Sequence, residues 1–274
     1  MATMVFGWPI VSDRGVIHYP TLSGGSWQAA LPLANLQDRA LARVARSVNT
    51  LASSTQFEAD LKTARPVRVL ALPRHAISFT GTIRVRASNT AGNFASPLYD
   101  TGTVNVWPAG IDAEKVEGIN LGWTHVTPAP LSAQYWLFEI SDAGNTAGYL
   151  DIGRLVIAQG WQPSINMQYG AKLGLETATE REVTDGGAAV YSRRATRRTA
   201  MFTLDDLPDT EALESGFDMQ RIAGTSGQLM FVFDPADTAQ MHRRSFLAVL
   251  RELSALDHPY FNRNSIPFGL IEEL

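Results

Sequence analysis

Short apolar runs broken by glycine, proline and asparagine recur along this chain, and they constrain the fold class more than any other feature. Thr82-Ile83-Arg84-Val85-Arg86 alternates at period two, which sets Ile83 and Val85 on one face and the arginines on the other. Val67 to Leu72 (after Pro66), Val104 to Trp107, Tyr135 to Ile140 and Tyr149 to Ile157 continue the series. Gly92-Asn93, Pro108 and the stretch from Asp142 to Asn145 supply the turns between them. Many short strands with such punctuation predict an antiparallel sandwich or jelly roll. Residues 1–34, rich in Gly, Pro, Ser and Trp, read as an extended arm with short strands. Leu36 to Val48 reads as a short helix, and Pro108 to Pro130 as a long surface loop.

The texture changes after Gly160-Trp161-Gln162-Pro163, which marks a domain boundary. Beyond it, two polar segments flank Asp185-Gly186-Gly187, a turn sequence suited to a long hairpin because glycine reaches the positive φ that tight turns need. The hairpin arms carry opposite charge: Glu176, Glu180 and Glu182 on one side, Arg193, Arg194, Arg197 and Arg198 on the other. Asp209 is placed to cap a helix over 210–223, with Leu213 and Phe217 four apart and Gly224 as its stop. Leu229 to Phe233 reads as a buried strand, Phe246 to Leu253 as strand or helix, and Ile266 to Leu274 as a closing strand.

Composition removes several functions. The chain has no cysteine, so thiolate metal sites, cysteine nucleophiles and disulfides are excluded. Lys plus Arg is 23 against 27 Asp plus Glu, a net charge of -4, which argues against a general nucleic-acid binder. Charged residues make up 18% of the chain, below the roughly 25% usual for globular proteins, a hint that partner subunits cover part of the surface. The opening residues have no basic region before Pro9, and no run reaches the length of a membrane helix. The expectation is therefore a soluble protein made in the cytosol, without membrane insertion.

No motif carries chemistry. A Gly-x-Ser-x-Gly elbow, a Walker loop and a dinucleotide fingerprint are all missing. Histidines 18, 75, 125, 242 and 258 have no Ser or Cys signal beside them. Asp234, Asp237 and His242 lie close together, but Asp234-Pro235 reads as a strand terminator rather than a metal ligand. The expectation is a non-enzyme with no catalytic residue, metal or cofactor. The arginine cluster is a candidate subunit interface through Arg193, Arg194, Arg197 and Arg198. Glu176, Glu180 and Glu182 are candidate lumen-facing or interface acids, and Trp107 and Trp123 are candidate glycan contacts. Of Tyr135 and Trp136, which alternate within one strand, one is expected in the core.

The residues from Ala64 to Ser78, Thr82 to Arg86, Tyr135 to Asp142 and Gly148 to Ile157 resemble the discoidin-like (galactose-binding-like) jelly roll. Gly160 to Gly170, Phe231 to Pro235, His242 to Phe246 and Pro259 to Arg263 are similar to tail proteins of long-tailed bacteriophages and prophages. The resemblance implies a mainly β protein, with an extended arm over 1–34, a discoidin-like jelly roll over 35–160 and a ring-forming, tail-tube-like β-barrel domain over 161–274. It further implies a structural component of the tail tip, of the distal tail protein type. Such a ring, six-fold or three-fold, joins the tail tube protein to baseplate hub and tail fibre proteins. It is assembled in the host bacterial cytoplasm, and genome DNA passes its lumen without specific binding. The peripheral-type domain comes first here, the reverse of many distal tail proteins. The alternative reading is a carbohydrate-binding adhesion module that contacts the host surface.

Overall fold

The computed structural model describes residues 4–15, 19–116 and 122–274; His18 and residues 117–121 of the expected loop lie outside them. The fold is mainly β, and its paired strands run antiparallel. The first sheet is built on two long strands, Phe57–Leu72 and Trp123–Ser141. They pair with each other, with Thr82–Ser88 on the far side of the second and Val156–Ala158 on the far side of the first. The inner face of this jelly-roll sandwich buries Phe57, Val85, Trp136, Phe138 and Ile157 against Leu36, Ala45, Leu150 and Ile152 of the opposing layer. Phe57 and Phe138 stack with ring centroids 5.0 Å apart. Full burial of such a side chain contributes about 1.5–3 kcal/mol.

The second sheet follows the order Val5–Gly7, Leu229–Val232, Ser245–Leu250, Arg263–Glu272, Thr196–Pro208, Lys172–Thr177. Its core is aromatic: Phe231 lies within 6.1 Å, centroid to centroid, of Phe6, Phe202 and Phe246. A helical run over 209–223 closes this face with Ala212 and Met219, while Gly216 admits the Trp161 ring. The helix ends at Gly224, whose φ of 56° lies in the region that favours glycine.

A third cluster joins the two sheets back to back. Val69, Ala71, Val156 and Ala158 of the first sheet pack on Val5, Met230, Val232 and Leu247 of the second. This explains three apolar runs without polar alternation. In Val69–Leu72, Leu155–Ala158 and Leu229–Val232, odd and even residues enter different cores, as in strands covered on both faces. Thr82–Ser88, covered on one face, keeps the alternation.

Several expected elements differ. The described part of 1–34 has the short strands expected, but they pack on the body rather than stand free: Val5–Gly7 is a fully buried strand paired with Leu229–Val232, and Thr21–Ser23 pairs with Phe57–Leu72. Asp13 anchors the same stretch through Arg154, 2.7 Å away in a wholly buried ion pair. Burial raises the Asp13 carboxyl despite Arg154 and Arg39 beside it. The helix expected over 36–48 shrinks to a single 3-10 turn at Leu33–Gln37, and Ala45–Arg46 is a strand. The end of the expected surface loop belongs to the Trp123–Ser141 strand, and Ser245–Leu250 is strand. Among the described residues, no helix is long and apolar enough to cross a membrane.

Candidate functional site

The strand Thr196–Pro208 has two ends of different character. From Ala200 to Leu207 it packs in the aromatic core through Ala200, Phe202, Leu204 and Leu207. Before Thr196 it continues into an arm: Lys172–Thr177, Glu180–Val183 and Ala189–Ser192 are exposed at every residue. The tip is the expected Asp185-Gly186-Gly187 turn, closed by the Thr184 N–H to the Ala188 carbonyl at 2.9 Å, with Gly187 at φ 82°.

Antiparallel pairing fixes the faces of this arm. Leu173 stands opposite Ala200, and Leu175 opposite Arg198. Both leucines therefore extend the core face of the sheet past the end of the core, beside a cleft of about 260 Å³ that Arg243 and Phe246 also line. Farther out, Arg181 pairs with Tyr191 and Val183 with Ala189 on one face, while Glu180 with Ser192 and Glu182 with Val190 form the other. Leu175 is 71% exposed and Tyr191 56%. A two-stranded ribbon is marginal in water by itself, and this one presents apolar side chains that the described residues leave exposed.

The candidate charges separate into three groups. Arg193, Arg194 and Arg197 are exposed and carry no ion pair among the described residues. Arg198 does not belong with them. Its guanidinium is buried on the Glu272 carboxylate and donates to the carbonyls of His242 at 2.9 Å and Ser245 at 3.0 Å. That geometry corrects the reading of Arg198 as an interface residue, because strand alternation turns it inward where its neighbour Arg197 faces out. Glu176 reaches Arg251 of the same chain at 3.1 Å, whereas Glu180 and Glu182 share the exposed face of the arm.

The aromatic candidates also part. Trp123 is 5% exposed, its ring parallel to His125 and part of the jelly-roll core, which corrects its reading as a glycan contact. It begins a long strand, so its side chain points into the sandwich. Burial lowers the His125 pKa, and its Nε2 lies 2.7 Å from the Tyr99 hydroxyl. Trp136 is the core residue of its pair, fully buried, while Tyr135 is half-buried. Trp107 is half-buried: its indole N–H donates to the Ile77 carbonyl at 2.9 Å, and Phe79 packs 5.0 Å from its ring. Phe79, 40% exposed, gave no signal in the sequence, since it sits in a loop without periodicity. Asp142 shapes that loop by accepting from the Ser78 amide at 2.9 Å, from the Ser78 hydroxyl, and from Asn145 at 2.9 Å. His75 packs edge-on with its ring centroid 5.2 Å from that of Trp107, and desolvation holds its pKa at about 4. Its Nδ1 accepts the Ile77 amide at 3.3 Å, as a neutral ring can.

Asp234 accepts the Ala236 amide at 2.9 Å, and Asp237 pairs with Arg244 at 3.0 Å, so both serve the turn. Among the described residues, no group of three or more His, Asp or Glu side chains converges as a metal site.

No family model matches this chain, and no curated protein matches it. Solved structures give distant likenesses. CBM32-1 from a family 31 glycoside hydrolase of Clostridium perfringens is 14% identical, with 53% of this chain and 97% of that one covered at a TM-score of 0.36. The family 32 CBM of C. perfringens NanJ, solved with galactose, is 18% identical over 50% of this chain and 92% of its own, also at 0.36. A fucose binding module of Streptococcus pneumoniae is 12% identical over 55% and 95%, with a TM-score of 0.37.

Proposed function

We propose that the protein is a non-enzymatic structural subunit that assembles with copies of itself through the second domain. In this reading the first domain is a bracket for other components. The observation that carries it is the arm over 172–194, exposed on both faces yet studded with Leu173, Leu175, Val183, Val190 and Tyr191. An apolar, charged ribbon attached to a fully packed body is what an assembling subunit keeps for its neighbour. The similarity of residues 160–170, 231–235, 242–246 and 259–263 to phage tail proteins gives the finer form: a tail-tip ring of the distal tail type, joining tube to baseplate and fibres. Light scattering of the purified protein tests it. A discrete oligomer, or a monomer that becomes one with rising concentration, supports the reading, and a monomer at every concentration up to millimolar refutes it.

A second reading, carbohydrate binding by the first domain, is favoured by the Phe79 and Trp107 rings at one rim of the jelly roll, where Asp142 holds the loop in place. Phe79, 40% exposed and backed by Trp107, offers an aromatic face that suits the apolar side of a sugar ring. Titration with galactose or fucose checks it: saturable binding that Phe79→Ala and Trp107→Ala both abolish supports recognition, and no binding by the parent chain ends it.

A further inference from the structure

We infer that the arm of one copy docks on the outer face of the 209–223 helical run of the next copy, an inference that rests on the assembly reading above. The helical run buries Ala212, Gly216, Met219 and Ala223 but leaves Leu213, Phe217 and Ile222 exposed, the last at 60%. Leu213 and Phe217, four apart on one side of this surface helix and flanked by Glu214 and Asp218, are the apolar counterpart of the arm's Leu175, Val183 and Tyr191. The charges complement as well. The helix adds Glu214, which carries no ion pair among the described residues, and Asp218, held only by the exposed Arg221 at 2.9 Å. The arm adds Arg193, Arg194 and Arg197.

The two patches cannot meet within one chain. They sit at opposite ends of Thr196–Pro208, a strand of 13 residues that spans roughly 40 Å. Two complementary surfaces at opposite ends of one subunit define a head-to-tail contact, which closes into a ring when the rotation permits. Running the sheet continuously from copy to copy is a weaker route. The Lys172–Thr177 edge is open, but the opposite edge is occupied at Phe6, which exchanges backbone hydrogen bonds of 2.8 and 2.7 Å with Trp161. An open edge of that kind pairs only with its own copy, around a two-fold axis.

The absence of native cysteine makes a direct test clean. Tyr191→Cys with Phe217→Cys in one chain, under a mild oxidant, is expected to give a ladder of linked oligomers, whereas either substitution alone gives no linked species. Glu214→Arg with Asp218→Arg should raise the concentration of half-assembly about tenfold or more, and adding Arg193→Glu, Arg194→Glu and Arg197→Glu should restore it. These positions are exposed, apart from the half-buried Asp218 at the surface, so the unfolding midpoint of each monomer should stay near that of the parent. Cross-linked dimers from Tyr191→Cys alone, with nothing added by Phe217→Cys, would overturn this contact in favour of a two-fold arm pairing and leave assembly standing. An oligomer indifferent to every one of these changes would also overturn the contact alone. A parent chain that stays monomeric throughout would remove the assembly reading and the contact together.

Discussion

One strand of the second sheet, Thr196–Pro208, joins a buried stretch of the body to an exposed arm. At Ala200, Phe202 and Leu204 its inward residues meet the aromatic core and the strand is covered. In the arm that precedes this strand, Leu173, Leu175 and Tyr191, similar apolar types, are 43%, 71% and 56% exposed. The join between the two is Arg198, whose buried contact with Glu272 marks the last inward residue held by the body. The contrast teaches that apolar alternation predicts a covered face without saying who covers it. In the body the cover is the chain itself, and in the arm the cover we propose is a neighbouring copy.

Glu272→Ala tests the body side of that contrast most severely. It leaves the Arg198 guanidinium buried with carbonyl partners but no counter-charge, at an expected cost of about 3–5 kcal/mol in urea unfolding. A loss below about 1 kcal/mol would mean that water reaches the pair and that the body ends earlier along the strand.

Acid gives the next largest effect. His75 takes up its proton near pH 6.5 when unfolded but only at about 4 when folded, because desolvation disfavours the charged ring. Between those values the unfolded chain binds more protons, so stability is full above pH 6.5 and falls as pH drops toward 4, by up to about 3 kcal/mol from this group. His75→Asn should flatten that part of the pH profile, and an unchanged slope would place the imidazole in water.

The arm is expected to contribute little to monomer stability. Leu175→Ser and Tyr191→Ser should each shift the unfolding free energy of the monomer by about 0.5 kcal/mol or less, as exposed substitutions do. A loss of 2 kcal/mol or more would mean that the arm folds back onto its own body, and the contrast would fail.

What could be read in advance follows from the range of the interactions. Ile83 and Val85 alternate with Arg84 and Arg86 and announced a half-covered strand from local pattern alone. Asp185-Gly186-Gly187 announced the hairpin, because its turn chemistry is contained in adjacent residues. Val5–Gly7 was illegible as a strand of the second sheet, since its partner Leu229–Val232 comes from the other end of the chain. Trp123 looked like a loop aromatic because Pro128 and Pro130 disguised the long strand it begins, which tolerates them at an irregularity in the pairing. Arg198 was indistinguishable from Arg197 until register set one inward and the other outward. Phe79 carries no local signal, and only the packing of its loop against Trp107 brings it to the rim.

The account stands on the arm being an assembly element rather than part of the fold. Its most direct test is the solution mass, across concentration, of the full chain beside a variant whose residues 178–193 are replaced by a short Gly-rich turn. The prediction is a discrete oligomer for the full chain and a monomer for the shortened one, with the same unfolding midpoint once both are diluted to monomer. Equal oligomer masses for the two chains, or a shortened chain that no longer folds, would contradict it.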